Sequence, residues 1–143
     1  MKRIPWRAAA LCALAWGLSA SAMAQATLFD PGKRAYDSLC ASCHGASGKG
    51  DGPVKPFLTK APSDLTTLAR RNGGAFPTQL VWEMIDGRSG IVVGAHGTRE
   101  MPVWGAEFRA QAMQSPSSAE QPEWYVRGRI VALLDYLARL QQP

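Results

Sequence analysis

A pair of cysteines, Cys40 and Cys43, followed directly by His44, constrains this chain more than any other feature. The two thiols stand about one helical turn apart, and the imidazole comes immediately after the second. This spacing is the attachment signature of a c-type haem, in which each thiol forms a thioether with a vinyl group and the imidazole binds the iron. The signature therefore predicts a small core built around a large apolar ring.

A CxxC pair has two other common uses, as a redox disulfide and as half of a zinc site. Zinc would need two further ligands, and the other cysteine and histidine of the chain are Cys12 and His96. A redox pair of the thioredoxin type follows a strand, whereas residues 30–39 have the pattern of a helix. Haem attachment is therefore favoured over both alternatives.

The N-terminal segment has the composition of an export signal. Three basic residues precede the apolar run 8–18, and Ala22-Met23-Ala24 is a small-residue cleavage site. The run is shorter than the about 20 apolar residues that span a bilayer. We expect residues 1–24 to be a cleaved signal peptide and the protein to be periplasmic, without stable membrane insertion. Anchoring by an uncleaved N-terminal segment is the alternative.

Cleavage would leave residues 25–143 as a single domain. It would remove three basic and no acidic residues, which lowers the formal charge from +5 to +2. A charge this close to balance does not indicate nucleic-acid binding. Cys40 and Cys43 would be the remaining cysteines, so no disulfide framework is expected, and the attached cofactor would take its place.

The pattern after residue 24 predicts an all-α fold of short helices separated by Gly- and Pro-rich loops. The predicted helices are one from Asp30-Pro31 to Leu39, one capped by Ser63 that stops at Gly73-Gly74, one from Pro77 to Gly87, a turn or two within 106–114, and one from about Pro122 to Leu140. Ile130, Leu133, Leu134 and Leu137 form an apolar stripe on the last. That stripe is expected to pack against the first helix.

An iron bound by His44 has a sixth coordination position. The ligand in that position decides whether the protein is an electron carrier or a catalyst or gas binder. The downstream candidates are Met84, Met101, Met113 and His96. Met84 falls on an apolar helix face, where core packing is the commoner role, and His96 is favoured as an ordinary polar loop residue. Met101 is the best candidate because Pro102 follows it and would stiffen the loop.

These motifs together resemble the class I cytochromes c over nearly all of the chain after residue 24. The resemblance rests on the helix before the motif, the motif with its following Gly45, the Gly-rich loop ending in Gly52-Pro53, Met101-Pro102-Val103-Trp104-Gly105, and Leu133-Leu134-Asp135-Tyr136-Leu137. It implies a cytochrome c fold, with short helices wrapped around one covalently attached haem c and the first and last helices packed together.

The resemblance also implies roles for single residues. Cys40 and Cys43 would carry the haem, and His44 and Met101 would be the axial ligands of its iron. The backbone carbonyl of Pro53 would accept a hydrogen bond from Nδ1 of His44, which would orient the ring. Two further expectations concern packing: Trp104 should touch the haem, and Gly32 and Tyr36 should let the last helix cross closely over Leu133 and Tyr136.

The sequence departs from the pattern of many small carriers by extra residues, an insertion around 106–121. This segment could be a solvated insertion or a docking element for one partner. The leading hypothesis is an electron carrier and not an enzyme, with a dehydrogenase, a respiratory complex or a terminal oxidase as its redox partner. A dedicated haem c subunit of a dehydrogenase or oxidase is the alternative. A gas-binding or peroxidatic protein would require a labile sixth ligand.

Overall fold

The computed structural model describes residues 29–88 and 101–143, and its regular structure in these ranges is helical throughout. The α-helices are α1 (Pro31–Leu39), α2 (Ala41–His44), α3 (Leu68–Arg71), α4 (Thr78–Asp86), α5 (Trp104–Met113) and α6 (Pro122–Arg139); Lys55–Phe57 and Leu65–Thr67 are short 3-10 helices. The predicted all-α fold is confirmed. The expected signal peptide and His96 lie outside the described residues.

The first and last helices pack against each other, as the sequence predicts. The rings of Tyr36 and Tyr136 lie 5.2 Å apart, centre to centre, and are tilted by 48°. Gly32 permits the close crossing, because a Cβ atom there would overlap the carbonyl oxygen of Ala132 and lie 2.9 Å from Cβ of Tyr136. The contact therefore depends on the missing side chain at Gly32.

Helix α6 supplies the largest share of the core. It begins at Pro122 and ends one residue before the predicted end, and the four residues of its apolar stripe are buried. A proline is favourable at the first turn, since its missing N–H would have no partner in the helix. Helix α4 packs Val81 and Ile85 against α6, and Gly87 ends it with a left-handed φ of 64°.

The segment expected as an insertion begins with structure that belongs to the core. Phe108 and Ala112 of α5 are completely buried, and α5 packs along α6. The interpretation of the segment as solvated is therefore wrong for its first half. Beyond α5, residues 114–121 form a series of turns that leads into α6.

The helical stretch after the Gly-rich loop begins at a different cap from the predicted one. Asp64, not Ser63, is the N-cap, and its carboxylate accepts hydrogen bonds from the backbone N–H of Thr66 at 2.8 Å and from the Thr66 hydroxyl at 2.7 Å. The end of the chain closes over this stretch, since Gln141 donates to the carbonyl of Leu65 and accepts from the N–H of Ala69. These bonds fix residues 64–69 against the end of α6.

Candidate functional site

The CxxCH motif lies where α1 turns into α2. The N–H of Cys40 donates to the carbonyl of Tyr36 at 2.8 Å, and the N–H of His44 donates to the carbonyl of Cys40 at 2.9 Å. The backbone is therefore helical through the motif, so both half-buried thiols and the imidazole occupy one turn. Cys40 and Cys43 are free thiols.

The electrostatics of Cys40 distinguish between the possible uses of the pair. Burial, and then the neighbouring Cys43, raises the pKa of the Cys40 thiol to about 11. A redox-active CxxC pair requires a lowered pKa, because the thiolate is the attacking species. The raised pKa of Cys40 therefore gives no support to a redox-active pair.

The imidazole of His44 is held by one backbone contact. Its Nδ1 lies 3.1 Å from the carbonyl oxygen of Ser63. A carbonyl can only accept, so Nδ1 carries the proton and Nε2 keeps its lone pair for a metal. Burial lowers the pKa of His44, with the bond to Ser63 opposing it, which favours the neutral ring that metal binding requires.

The prediction that the carbonyl of Pro53 contacts this nitrogen is wrong in this structure, since the carbonyl of Ser63 does so. The chain around Pro53 lies instead on the motif itself, since the N–H of Gly52 donates to the carbonyl of Cys43 at 3.1 Å and that of Val54 to the carbonyl of Ser42 at 3.0 Å. Pro53 is exposed between them. These two bonds occupy the turn, so a different segment reaches the imidazole.

The path of the Gly-rich loop explains why Ser63 takes that place. Gly50 has a φ of 74°, and a Cβ atom there would overlap the carbonyl oxygen of Pro62. The N–H of Leu65 also donates to the carbonyl of Gly48 at 2.7 Å. The loop and residues 62–65 are thus in backbone contact beside His44, and no local sequence signal predicts this pairing.

Met101 and Trp104 lie at the margin of the same hydrophobic core as Cys40. All three are half-buried and pack against the buried cluster. The ring of Trp104 stacks on that of Phe108, with centres 6.1 Å apart and planes 27° from parallel. Of the other sulfur candidates, Met84 is half-buried on α4 and Met113 is 57% exposed.

The donor set of these residues suits a covalently attached haem. Two thiols on one helical turn match the two vinyl groups, and an imidazole whose Nε2 keeps its lone pair suits the iron. Half-buried apolar side chains also lie at the margin of this core; they include Leu39, Leu65, Leu68, Phe76 and Trp82. Within 29–88 and 101–143, no three residues of the types His, Cys, Asp and Glu come together as a metal site.

Comparison with known proteins gives one family match. The family model described as "Cytochrome c" matches residues 29–140, which is most of the chain. The comparison with curated proteins and the comparison with solved structures each return no match. No helix in the part of the chain that the structure describes combines the length and the apolar character needed to cross a membrane.

Proposed function

Because the chain belongs to the cytochrome c family, whose domain binds haem c covalently and transfers electrons, we propose that it is a periplasmic single-haem carrier in which His44 and Met101 are the axial ligands. The contact between Nδ1 of His44 and the carbonyl of Ser63 supports this proposal most strongly. It directs Nε2 away from the backbone, as an axial ligand requires.

The proposal gives each residue of the site a role. Cys40 and Cys43 would attach the haem, and His44 and the thioether of Met101 would bind its iron. Trp104 would pack against the ring. The haem supplies one-electron transfer between ferrous and ferric iron, at a potential that a His/Met pair raises.

Function as a carrier, and not as an enzyme, follows from the closed iron site. A thioether that stays bound to the sixth position leaves no place on the iron for a substrate. The protein's own contribution is to hold both ligands in place while the charge on the iron changes. No substrate is transformed, so the partners are other redox proteins, such as a dehydrogenase, a respiratory complex or a terminal oxidase.

The alternative of a dedicated subunit in a dehydrogenase or oxidase loses part of its support. It depended on residues 106–121 as a docking element, and core packing of Phe108 and Ala112 accounts for the first half of that segment. Residues 114–121 remain as its support. Co-purification of the full-length exported protein with a catalytic subunit would favour the alternative.

An optical spectrum of the purified holoprotein tests the ligand assignment. The ferric protein should show the charge-transfer band of an iron-bound thioether. Met101→Leu should abolish this band, whereas Met84→Leu, the matched control on α4, should keep it. Intact mass should show one haem attached and residues 1–24 removed, and Cys40→Ala should lose one of the two thioether links.

Two results would contradict the proposal. A wild-type spectrum without the thioether band, together with ready binding of carbon monoxide to the ferrous protein, would indicate an open sixth site and a gas-binding or peroxidatic function. Loss of the band in Met84→Leu but not in Met101→Leu would place the ligand on α4.

A further inference from the structure

Two stretches of chain that are distant in sequence meet next to Met101. Gly87, which ends α4, lies against Val103, since a Cβ atom at Gly87 would stand 3.4 Å from Cα of Val103. Gly105 is buried, and a Cβ atom there would overlap a carboxylate oxygen of Asp86 and lie 2.7 Å from Nε of Arg88. Residues 86–88 therefore form the surface on which the segment after Met101 rests.

A network of four charged side chains holds this surface in place. Nε of Arg88 donates to Asp86 at 2.5 Å, and Nη2 donates to the second oxygen of the same carboxylate at 3.2 Å. Nη1 of Arg88 donates to both oxygens of Glu123 at 3.0 Å, and Arg109 also donates to Glu123. One guanidinium thus connects the end of α4 to the first turn of α6, and Glu123 connects both to α5.

Geometry makes this network stronger than isolated surface ion pairs. An exposed pair contributes little to stability, but a planar guanidinium that bonds two carboxylates is directional and loses less freedom on pairing. The side chains of Asp86 and Arg88 are 17% and 30% exposed, so solvent screens this part of the network least. Hydrogen bonds with Asp86 first, and then with Glu123, raise the pKa of Arg88 above its ordinary value.

We propose that Arg88 is a positioning residue for Met101: by pairing with Asp86 and Glu123 it fixes the surface under Val103 and Gly105, and so holds the Met101 thioether at the sixth coordination position. The inference rests on the proposed ligation by Met101. It adds that the strength of that ligation is set by a charged network outside the haem contacts, and that loss of the network favours an external ligand over the thioether.

Competition by free imidazole against the thioether tests this role in the ferric holoprotein. We expect Arg88→Gln to lower the apparent Kd for imidazole about fivefold to tenfold. Loss of the charge-transfer band on titration with imidazole measures this Kd. The control is Lys33→Gln, which removes an exposed ion pair with Asp37 on α1 and should leave the imidazole Kd unchanged. Thermal unfolding is measured in parallel and reports general destabilisation. If Arg88 has a purely structural role, Arg88→Gln should lower the unfolding temperature without changing the imidazole Kd.

A double-variant comparison separates the network from the single residue. Glu123→Gln should lower the imidazole Kd by a smaller factor, because the bonds from Arg88 to Asp86 remain. Added to Arg88→Gln, Glu123→Gln should lower the Kd by less than it does in the wild type, since the link between Arg88 and Glu123 is already lost and only the bond from Arg109 is left to remove. If Arg88→Gln does not yield folded holoprotein, Glu123→Gln alone is compared with Lys33→Gln.

The outcomes distinguish this inference from the proposed function. A wild-type protein without the thioether band would overturn ligation by Met101, and the inference with it. The positioning role alone would be overturned if the wild type shows the band and Arg88→Gln has the same imidazole Kd as Lys33→Gln. Where Glu123→Gln replaces Arg88→Gln, the same comparison applies to it.

Discussion

The hydroxyl of Tyr36 donates a buried 2.6 Å hydrogen bond to the carbonyl of Gly45, the residue that follows the histidine of the motif. Tyr36 has no exposed surface, and Gly45 is also buried. Burial, more than the nearby Cys40 and Tyr136, raises the pKa of Tyr36, which favours the protonated hydroxyl that donates this bond. The bond joins α1 directly to the chain that leaves the haem site.

Tyr36→Phe should therefore destabilise the holoprotein by about 0.5–1.5 kcal/mol, because it removes a buried hydrogen bond while the Gly45 carbonyl keeps its bond from the N–H of Gly48. Denaturant unfolding measures the change. The matched control is Tyr125→Phe, since the structure shows no hydrogen bond from the Tyr125 hydroxyl within the described residues. The control should change stability by less than about 0.5 kcal/mol. Equal effects of the two changes would show that the bond to Gly45 adds nothing.

The crossing of α1 and α6 can be tested with two glycines. Gly32→Ala should destabilise the protein by about 1–3 kcal/mol or more, because the new methyl group overlaps the carbonyl of Ala132 and forces the helices apart. Gly128→Ala, on the open face of α6, has nothing within 4 Å of the added atom. It should stabilise the helix by up to about 1 kcal/mol. Thermal unfolding of both variants checks the opposite signs.

The cap at Asp64 makes stability depend on pH. Its hydrogen bonds with Thr66, ahead of the nearby charges, lower the pKa of Asp64 below its ordinary value. A lowered folded pKa stabilises the protein above the unfolded pKa, and this contribution is lost as pH falls through the folded value. Asp64→Ala should cost about 1 kcal/mol at pH 7, and the difference from wild type should shrink as the pH falls below 4.

Ser63→Ala is the control for the cap. The sequence favours Ser63 in this role, whereas in the structure its contribution to the site is the backbone carbonyl that contacts His44. That carbonyl survives the substitution, so Ser63→Ala should leave both stability and its pH dependence close to wild type. If Ser63→Ala lowers the free energy of unfolding as much as Asp64→Ala does, Ser63 and not Asp64 would be the N-cap.

Phe108 tests whether the segment after Trp104 belongs to the core. Phe108→Ala should cost about 3–5 kcal/mol, since it opens a cavity at a completely buried position. The milder Phe108→Leu, expected to cost about 1.5 kcal/mol or less, keeps the test usable if the alanine variant does not fold. Met113→Ala, at the exposed end of the same helix, should change the free energy of unfolding by less than about 0.5 kcal/mol. Equal losses at Phe108 and Met113 would indicate a peripheral helix.

Local features of the site could be predicted from the sequence because its determinants are adjacent in the chain. Cys40, Cys43 and His44 share one helical turn, and the buried stripe of α6 follows directly from its periodicity. The partner of His44 could not be predicted in the same way. It depends on which backbone segment the Gly-rich loop brings beside the ring. Both Pro53 and Ser63 offer a backbone carbonyl, and only the path of the folded chain decides which of the two reaches His44.

The charged network around Arg88 could not be predicted from the sequence either. Arg88 and Glu123 are 35 residues apart, and each reads in the sequence as an ordinary surface charge. Their pairing arises from the packing of α4 beside α6, which hydrophobic periodicity indicates only in general terms. Helix α5 was also hard to foresee, because its apolar residues do not form a clear stripe, although Phe108 and Ala112 reach the core.

The contact between α1 and α6 also sets an order of events for a newly made chain. Helix α1 lies directly before the two cysteines, whereas its packing partner begins at Pro122, so a chain that emerges N-terminus first presents Cys40 and Cys43 while α6 is still to come. Cys40 packs at the margin of a core cluster to which α6 contributes most residues, so its burial is complete only after α6 docks. The newly made chain thus has an interval in which Cys40 is more accessible than in the folded protein, and docking of α6 brings that interval to an end.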